Sequence, residues 1–377
     1  MLRFLYERFN KIRGVSDKIH SVYIMTPGNI CTNKCYMCPG RSIDYRHKPI
    51  SDETYSLILS QLADIAFDGE LHLYGQNEPF LDRRIFDMID KAHSVIPNAK
   101  IALISNFTVM NDSIIDRIMN SHISYFSASI YSLKKEGYLK ICGKDNFEKS
   151  FVNQIKFLKR YATNPFFSFA FYIMANNEFI QDDIEFCKYF IHDIAPVGFM
   201  DFYALLNTFN SKYTKPKHWK GFINNCIYDR LFFLNDGDVS ICSIDAEKKM
   251  AIGNVHKDGH IRDLINNSTA KSIRRRVLFD TDNAHCNWCD FGRQESKWLY
   301  FIPMPSCLRK ALNRKLVDSY DCGFQKKRFT QTEILNKLKI LNDLFKDNCE
   351  DEWLSVLSRL RQEFYSTRHL ASKHTCE

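Results

Sequence analysis

The chain has 377 residues and a mass of 44.3 kDa, with 52 Lys and Arg against 44 Asp and Glu and a formal charge of +8. That length predicts two or three domains, and a hydrophobic content of 45% is enough for a sizeable core. Because the basic excess is spread along the chain without a tail or stripe, a nucleic-acid partner is not expected, although an anionic substrate is permitted.

The N-terminal residues 1–20 predict a short helix that caps the domain behind it, with an amphipathic helix on a membrane surface as the alternative. Met1–Phe9 carries charges where a signal peptide needs its apolar centre. No apolar run approaches the roughly 18–20 residues that a membrane-spanning helix needs. We therefore expect a cytoplasmic protein without a membrane span.

Between residues 21 and 206, short apolar runs alternate with amphipathic segments of period 3.6. One segment is capped by Ser51, another is stopped by Pro97, and a third opens with Asp145 and Glu148 as a capping box. Six strands are predicted: Ser21–Met25, Glu70–Tyr74, Lys100–Ser105, Tyr125–Ile130, Phe167–Met174 and Phe199–Leu206. This alternation predicts an α/β fold with a parallel sheet, either doubly wound or closed toward a barrel.

The pattern changes after Leu206. Residues 210–217 are polar and predict a linker or loop. Residues 231–241 predict a β-hairpin, because an Asn-Asp-Gly turn separates two apolar runs. From residue 301 to the end, two amphipathic segments predict a helical tail.

Thirteen cysteines without a signal peptide indicate metal binding or chemistry rather than a disulfide framework. Seven of them fall into two groups with the spacing of metal ligands: Cys31, Cys35 and Cys38, then Cys226, Cys242, Cys286 and Cys289. Soft sulfur ligands select zinc or an iron–sulfur cluster. A closed zinc site needs a fourth ligand, for which His47 is the nearest candidate. Three cysteines on a four-iron cluster instead leave one iron open to another molecule.

The spacing Cys-x3-Cys-x2-Cys directly after the first strand resembles the radical SAM superfamily. In that family three cysteines hold a 4Fe–4S cluster, and S-adenosylmethionine (SAM) binds the fourth iron. The segment Leu73–Leu81 resembles the family's Gly-Gly-Glu-Pro loop, which receives the SAM amino group, with Asn77 where a glycine is usual. Because Asn tolerates left-handed backbone angles, we expect this turn to be retained.

Further segments match the family's later strands. Ser105–Thr108 stands where Thr-Asn-Gly often follows the third strand, Ser127–Ile130 matches the fourth strand, and Tyr172–Asn177 matches the fifth. The resemblance implies a partial (β/α)6 TIM-type barrel over residues 21–206, with the chemistry at the C-terminal ends of its strands. It also implies cofactor contacts by Met37, Gln76, Asn77, Glu78, Ser105, Asn106 and Ser129.

Taken alone, the second cysteine group fits a zinc ribbon or a fully ligated 4Fe–4S cluster equally well. After a radical SAM core, Cys-x10-Gly-x4-Cys resembles the opening of the SPASM extension. Glu295 and Leu299 stand where a full SPASM domain continues with cysteines, so the region is similar to the shortened twitch domain. The resemblance implies one auxiliary 4Fe–4S cluster held by Cys226, Cys242, Cys286 and Cys289. The expected domains are residues 1–20, 21–206, 207–300 and 301–377.

The resemblance implies reductive cleavage of SAM to a 5′-deoxyadenosyl radical, fed by a flavodoxin- or ferredoxin-type electron donor. An auxiliary cluster suits oxidation of the substrate radical, which indicates a dehydrogenase-type enzyme. Only about thirty residues precede the first motif, which favours a sugar- or aminocyclitol-like small molecule over a peptide. A peptide- or protein-modifying maturase is the second hypothesis, and an inactive iron–sulfur or zinc scaffold is the third.

One scattered cysteine also invites a chemical role. Cys142 follows the predicted fourth strand, where a thiol can return a hydrogen atom to a substrate radical, as in an epimerase. The simpler interpretation is a small buried hydrophobic residue.

Overall fold

The structure is a computed structural model that describes residues 10–28, 30–36, 38, 48–132, 135–163, 168–174, 200–203, 222–224, 226–243, 245, 248–279 and 294–296. Several predictions fall outside these residues: the 210–217 linker, the helical tail, Met37, His47, Cys286 and Cys289.

Nine strands form one sheet, in the order β10-β9-β8-β1-β2-β3-β4-β5-β6. These strands are β1 (Ser21–Ile24), β2 (Glu70–His72), β3 (Lys100–Ser105), β4 (Ile123–Ile130), β5 (Ser168–Met174), β6 (Met200–Tyr203), β8 (Arg230–Phe233), β9 (Asp238–Ser240) and β10 (Ala251–Asn254). A separate antiparallel pair joins β7 (Phe222–Asn224) to β11 (Gln294–Ser296).

The six predicted strands pair in parallel in chain order, from β1 to β6. Among the described strands, β10 and β6 stand at the two edges of the sheet and do not pair with each other. The α/β class and the partial barrel are therefore confirmed, with a sheet that is open. Open sheets of this kind expose the C-terminal ends of their strands as a common rim.

Helices cover the outer face of this sheet. They are α1 (Asp52–Asp64), α2 (Ile85–Val95), α3 (Asp112–Met119), α4 (Lys135–Cys142), α5 (Phe147–Thr163), α6 (Cys226–Asp229), α7 (Ile261–Leu264) and α8 (Ser268–Phe279). Ser51 caps α1 as predicted, because its hydroxyl accepts from the Thr54 backbone N–H at 3.0 Å. The Asp145 and Glu148 carboxylates each lie 3.1 Å from the Lys135 ammonium. Within the described residues, no helix has the length and apolar character needed to cross a membrane.

The predicted hairpin is present as β8 and β9, and it extends the barrel sheet. β8 runs parallel to β1, with Ser21 opposite Arg230, and β9 returns antiparallel to β8. The turn requires Gly237, which has φ +85° and would bring a Cβ within 2.7 Å of the His256 ring. The hairpin that lies between Cys226 and Cys242 is thus hydrogen-bonded to the first strand of the barrel. The four domain boundaries remain a prediction.

Arg274 of α8 connects three segments around this hairpin. Its side chain is wholly buried and donates to the backbone oxygens of Ile227 and Ile265, both at 2.7 Å, and of Gly14 at 3.2 Å. Burial lowers the pKa of its guanidinium to about 10. The guanidinium binds backbone carbonyls rather than carboxylates. The contact therefore depends on several N–H donors in fixed directions, which only the Arg side chain has.

We predict that Arg274→Met destabilises the protein by at least about 3 kcal/mol, because it leaves several buried carbonyls without a donor. The matched control is Arg275→Met on the exposed side of the same helix, which we expect to change stability by no more than about 0.5 kcal/mol. Urea denaturation of both variants measures the difference. Equal stabilities would contradict the role assigned to Arg274.

Candidate functional site

The first cysteine group lies in the loop that follows the C-terminal end of β1. This loop is held by the end of α4 through two backbone hydrogen bonds. The Lys34 N–H donates to the Cys142 oxygen at 2.8 Å, and the Tyr36 N–H donates to the Ile141 oxygen at 3.0 Å. The three cysteines, Cys31, Cys35 and Cys38, are half-buried or buried. The loop is therefore fixed by tertiary contacts although its sequence has no regular structure.

A polar contact inside this loop adds a second anchor. The Asn33 amide donates to the Tyr138 hydroxyl at 3.0 Å, and its oxygen accepts from the Asn146 amide at 2.9 Å. These residues come from α4 and from the connection to α5. The sequence analysis did not identify Tyr138 and Asn146 as anchors of this loop. The one sequence feature that could have indicated them is the polar residue Asn33 between the cysteines.

Glu78 is the central polar residue of the site. Its side chain is 1% exposed, and its carboxylate accepts from the Ser105 hydroxyl and from the Asn106 backbone N–H, both at 2.8 Å. Its own backbone N–H donates to the Ile30 oxygen at 3.0 Å. Burial is the main cause that raises the pKa of this carboxyl to about 7. Glu78 thereby joins the loop after β2 to the end of β3 and to the cysteine loop.

Asn106, at the end of β3, reaches the first cysteine directly. Its side-chain amide donates to Cys31 Sγ at 3.4 Å and to the Thr32 hydroxyl at 3.0 Å. Its side-chain oxygen accepts from the Thr108 N–H at 2.9 Å and from the Thr108 hydroxyl at 2.7 Å. The Ser150 hydroxyl donates to its backbone oxygen at 2.6 Å. Thr32, Thr108 and Ser150 were not predicted as site residues.

Asn77 does not use the left-handed backbone angles that its residue type tolerates, because it is not among the described residues with positive φ. Phe107 adopts that conformation, with φ +63°, at the position where the family often has the glycine of Thr-Asn-Gly. This angle costs a non-glycine residue about 1–2 kcal/mol. The Phe107 ring is fully buried against Phe126 and Phe157, at centroid distances of 5.5 and 5.4 Å, which offsets the strain.

The loop after β2 presents polar atoms that lack a partner in the described structure. The Gln76 Oε1 and Asn77 Nδ2 atoms are buried and make no hydrogen bond. The Asn77 oxygen accepts from the Gly75 N–H at 3.0 Å, and a Cβ on Gly75 would lie 2.9 Å from the Phe232 ring. A buried amide oxygen without a donor fits a cationic amino group such as that of SAM. The residues present are thus compatible with the predicted cofactor.

The donor set also fits a 4Fe–4S cluster. No group of three His, Cys, Asp or Glu within the described residues surrounds a point as ligands of a single ion would. Cys31, Cys35 and Cys38 supply the soft sulfur ligands that an iron–sulfur cluster takes, and three of them leave one of its four irons open. Burial, the nearby Glu78 and the neighbouring Cys35 raise the pKa of Cys31 to about 12. Binding of the cluster therefore has to displace protons from these thiols.

The second cysteine group is described in part. Cys226 begins α6 just before β8, and Cys242 follows the end of β9. Because β8 and β9 are antiparallel, these two cysteines stand at the same end of the hairpin. Both pack against the main core, and burial raises the pKa of Cys226 to about 11. Ser243, which follows Cys242, accepts a hydrogen bond at 3.2 Å from the Gln76 amide.

Two predicted residues take less central positions. Ser129, near the end of β4, is buried, and its backbone oxygen accepts from the Gln154 amide at 3.4 Å. Cys142 is wholly buried at the end of α4. The roles expected for both residues, and for the other site residues, remain predictions.

The chain matches two known protein families and resembles several solved structures. The radical SAM superfamily matches residues 25–190, and SPASM, an iron–sulfur cluster-binding domain, matches residues 225–290. Native anSMEcpe with bound AdoMet and Cp18Cys peptide is 14% identical with a TM-score of 0.54, covering 85% of this chain and 99% of that one. Streptococcus suis SuiB bound to S-adenosylmethionine is 14% identical with a TM-score of 0.51. The match covers 76% of this chain and 72% of SuiB.

BtrN in complex with AdoMet and 2-DOIA is 15% identical with a TM-score of 0.48, covering 73% of this chain and 93% of that one. No curated protein matches the chain. At these identities the similarity to anSMEcpe and SuiB shows the fold alone. The family matches coincide with the two cysteine groups.

We predict that Glu78→Gln changes the pH dependence of stability. The folded state holds the Glu78 proton up to pH about 7, against 4.5 ordinarily. The free energy of unfolding of the wild type therefore falls as pH rises between these values. We expect this fall to be larger than that of the variant by about 2–3 kcal/mol. Denaturation of the cluster-free protein at pH 5 and pH 7.5 measures this difference. The control is Glu136→Gln, an exposed carboxylate, which should parallel wild type, and parallel behaviour of Glu78→Gln would refute the prediction.

Proposed function

The chain is a radical SAM protein with a C-terminal SPASM-type iron–sulfur domain, and from that premise we propose that it oxidises its substrate by two electrons. A 4Fe–4S cluster and SAM are its cofactors, and together they supply a 5′-deoxyadenosyl radical that takes a hydrogen atom from an unactivated carbon. The proposal extends this chemistry to dehydrogenation, with the second cysteine group as the site of the electron acceptor.

The chain's own residues bind and orient these cofactors. We assign the cluster to Cys31, Cys35 and Cys38, and the SAM amino group to the loop that contains Gln76 and Asn77. Glu78 holds that loop against the end of β3 and so keeps the two parts of the site in register.

Aromatic and aliphatic side chains close the inner face of the sheet below this site. Tyr23, Met25, Phe232 and Leu234 form a buried cluster there, with Tyr74 packed against it. The Tyr23 ring also stacks on His72 at 4.1 Å. This apolar cluster supports the start of the SAM loop, because the Phe232 ring lies directly against Gly75.

The observation that carries the proposal is the contact between the two cysteine regions. The Gln76 amide of the SAM loop donates to the oxygen of Ser243, which is covalently next to Cys242. An auxiliary cluster held by Cys226, Cys242, Cys286 and Cys289 would thus lie next to the SAM loop on its Cys242 side. These cysteines would hold a cluster that supplies a one-electron acceptor, and removal of a hydrogen atom, one further electron and one further proton would account for the loss of two electrons and two protons from the substrate.

We further propose a small polar substrate of the sugar or aminocyclitol kind. The C-terminal halves of β3 and β4 carry the small hydroxyl residues Ser105, Ser127 and Ser129, a residue type that suits a small polar substrate. The formal charge of +8 suits a substrate with an anionic group. A peptide that contains an oxidisable side chain is the competing outcome of the substrate test.

We predict about eight irons per chain after anaerobic reconstitution, and about four in a Cys31/Cys35/Cys38→Ala variant and in a Cys226/Cys242→Ala variant. Iron and acid-labile sulfide analysis measures both. As a control, a Cys376→Ala variant should retain the wild-type count. About four irons in wild type, with none after loss of the first group, would remove the proposed electron acceptor.

We predict that the Cys226/Cys242→Ala variant still cleaves SAM but forms no oxidised product. The first cluster provides the radical, whereas the second group is needed to take the electron. The measurement is 5′-deoxyadenosine and product by mass spectrometry with an aminocyclitol panel and a Cys-containing peptide, under a low-potential reductant. A product with the oxidation state of its substrate would refute the dehydrogenase proposal.

A further inference from the structure

The end of α4 and the cysteine loop meet at the surface of the protein. The Lys34 N–H donates to the Cys142 oxygen at 2.8 Å. Gly143 follows α4 with φ +63°, and a Cβ on it would lie 3.2 Å from the Lys34 oxygen. Both Lys34 and Gly143 are exposed, whereas Cys35, the next residue after Lys34, is buried. A molecule that touches the end of α4 from outside therefore stands beside a cysteine of the first group.

Three lysines of this region have no acidic partner. Lys34 lies in the cysteine loop, Lys144 follows Gly143, and Lys149 lies in the first turn of α5. All three are exposed, and within the described residues none of them makes an ion pair. The Asn146 amide, which lies between Lys144 and Lys149 in the chain, donates to the Thr32 oxygen at 3.4 Å and so holds this segment against the loop.

The nearby carboxylates are already neutralised by other lysines. Glu136 pairs with Lys140 of the same helix at 3.1 Å. Asp145 and Glu148 both pair with Lys135, each at 3.1 Å. The positive charge of the three unpaired lysines is therefore not cancelled by these neighbours.

An apolar side chain adjoins the unpaired lysines. Leu139 of α4 is 38% exposed, which places it among the few large hydrophobic residues that the described structure leaves open to solvent. Its backbone oxygen accepts from the Gly143 N–H at 2.9 Å, so it lies one turn before the glycine that contacts Lys34. Leu139, Lys34, Lys144 and Lys149 are together called the α4 surface below. An apolar residue with charged residues around it is typical of small, transient protein interfaces.

We propose that the α4 surface docks a small acidic electron-carrier protein that reduces the first cluster. One electron passes from the carrier, which is oxidised, to the cluster, which is reduced, and no proton is exchanged. The proposal rests on the proposed function, since it needs a cluster held by Cys31, Cys35 and Cys38. It adds the surface and the charge of the partner.

Charge determines the kind of carrier, and position determines where it binds. Unpaired lysines attract a negatively charged surface and speed the encounter at low ionic strength, whereas a basic carrier would be repelled. Because Lys34 is covalently next to Cys35, a carrier in contact with Lys34 approaches the cluster across a single residue. Electron transfer requires such a close approach of the two redox centres.

The test measures binding and electron delivery with an acidic flavodoxin as the probe. Lys144→Glu reverses one charge of the α4 surface and lies outside the cysteine loop. We expect it to raise the dissociation constant for flavodoxin about tenfold at low salt, measured by calorimetry on full-length reconstituted protein. SAM cleavage driven by reduced flavodoxin should slow by a similar factor. SAM cleavage driven by reduced methyl viologen, a small cation, should keep its wild-type rate.

Arg276→Glu is the matched control, because it makes the same change of charge at an exposed residue of α8. That helix packs against Gly14, before the start of β1, whereas the cysteine loop follows the end of β1. Its dissociation constant for flavodoxin should match wild type. Lys34→Glu is a second arm, read as the ratio of the flavodoxin-driven to the viologen-driven rate, and we expect this ratio to fall about tenfold. Raising the salt concentration to about 0.5 M should remove these differences.

Three results would overturn the proposal. The first is an equal dissociation constant for wild type and Lys144→Glu. The second is equal slowing of Lys144→Glu with flavodoxin and with methyl viologen, which would indicate a disturbed cluster site. The third is a wild-type protein that methyl viologen reduces but that neither flavodoxin nor an acidic ferredoxin reduces.

Failure of the proposed function gives a different result. A product with the oxidation state of its substrate would refute dehydrogenation, while flavodoxin would still bind the α4 surface and drive SAM cleavage. Wild-type protein without iron at the first cysteine group would overturn both proposals. Iron analysis of the wild type and of each variant identifies that case.

Discussion

The buried carboxylate of Glu78 is the interaction on which the arrangement of the site depends. It accepts hydrogen bonds from Ser105 and Asn106, and its backbone holds Ile30 beside the cysteine loop. A buried carboxylate is costly without such partners, and this cost is visible in its pKa, which burial raises to about 7. One side chain thus brings together the ends of β1, β2 and β3, where the SAM loop and Cys31 meet.

The second constraint is the addition of the hairpin to the barrel sheet. β8 pairs with β1 along its whole length, so the region of the auxiliary cysteines is attached to the strand that leads to Cys31. Phe232 of β8 packs under the SAM loop so closely that Gly75 can carry no side chain. Arg274 holds the other side of this region by binding the carbonyl of Ile227, next to Cys226. The first cysteine group and the two described cysteines of the second, Cys226 and Cys242, are therefore parts of one hydrogen-bonded framework.

The backbone strain at Phe107 and the buried donor to the Cys31 sulfur both arise where other elements hold the cysteine loop. The chain turns sharply after β3 in order to aim the Asn106 amide at Cys31, and Phe107 takes the left-handed angle in that turn. The fully buried Phe107 ring holds the turn in place. The end of α4 holds the same loop through the backbone oxygens of Cys142 and Ile141. The loop has little regular structure of its own and takes its shape from these neighbours.

The sequence by itself determined the alternation of six strands with helices, the hairpin with its turn at Gly237, and the two cysteine groups, because periodicity, turn residues and ligand spacing are local properties of the chain. It did not show that the hairpin joins β1, that Phe107 rather than Asn77 takes the left-handed angle, or that the end of α4 binds the cysteine loop. Each of these depends on contacts between residues far apart in the chain. Such contacts form because apolar side chains are buried together and because each buried polar group needs a hydrogen-bond partner. Both conditions depend on the whole fold, so local sequence patterns do not show which residues meet.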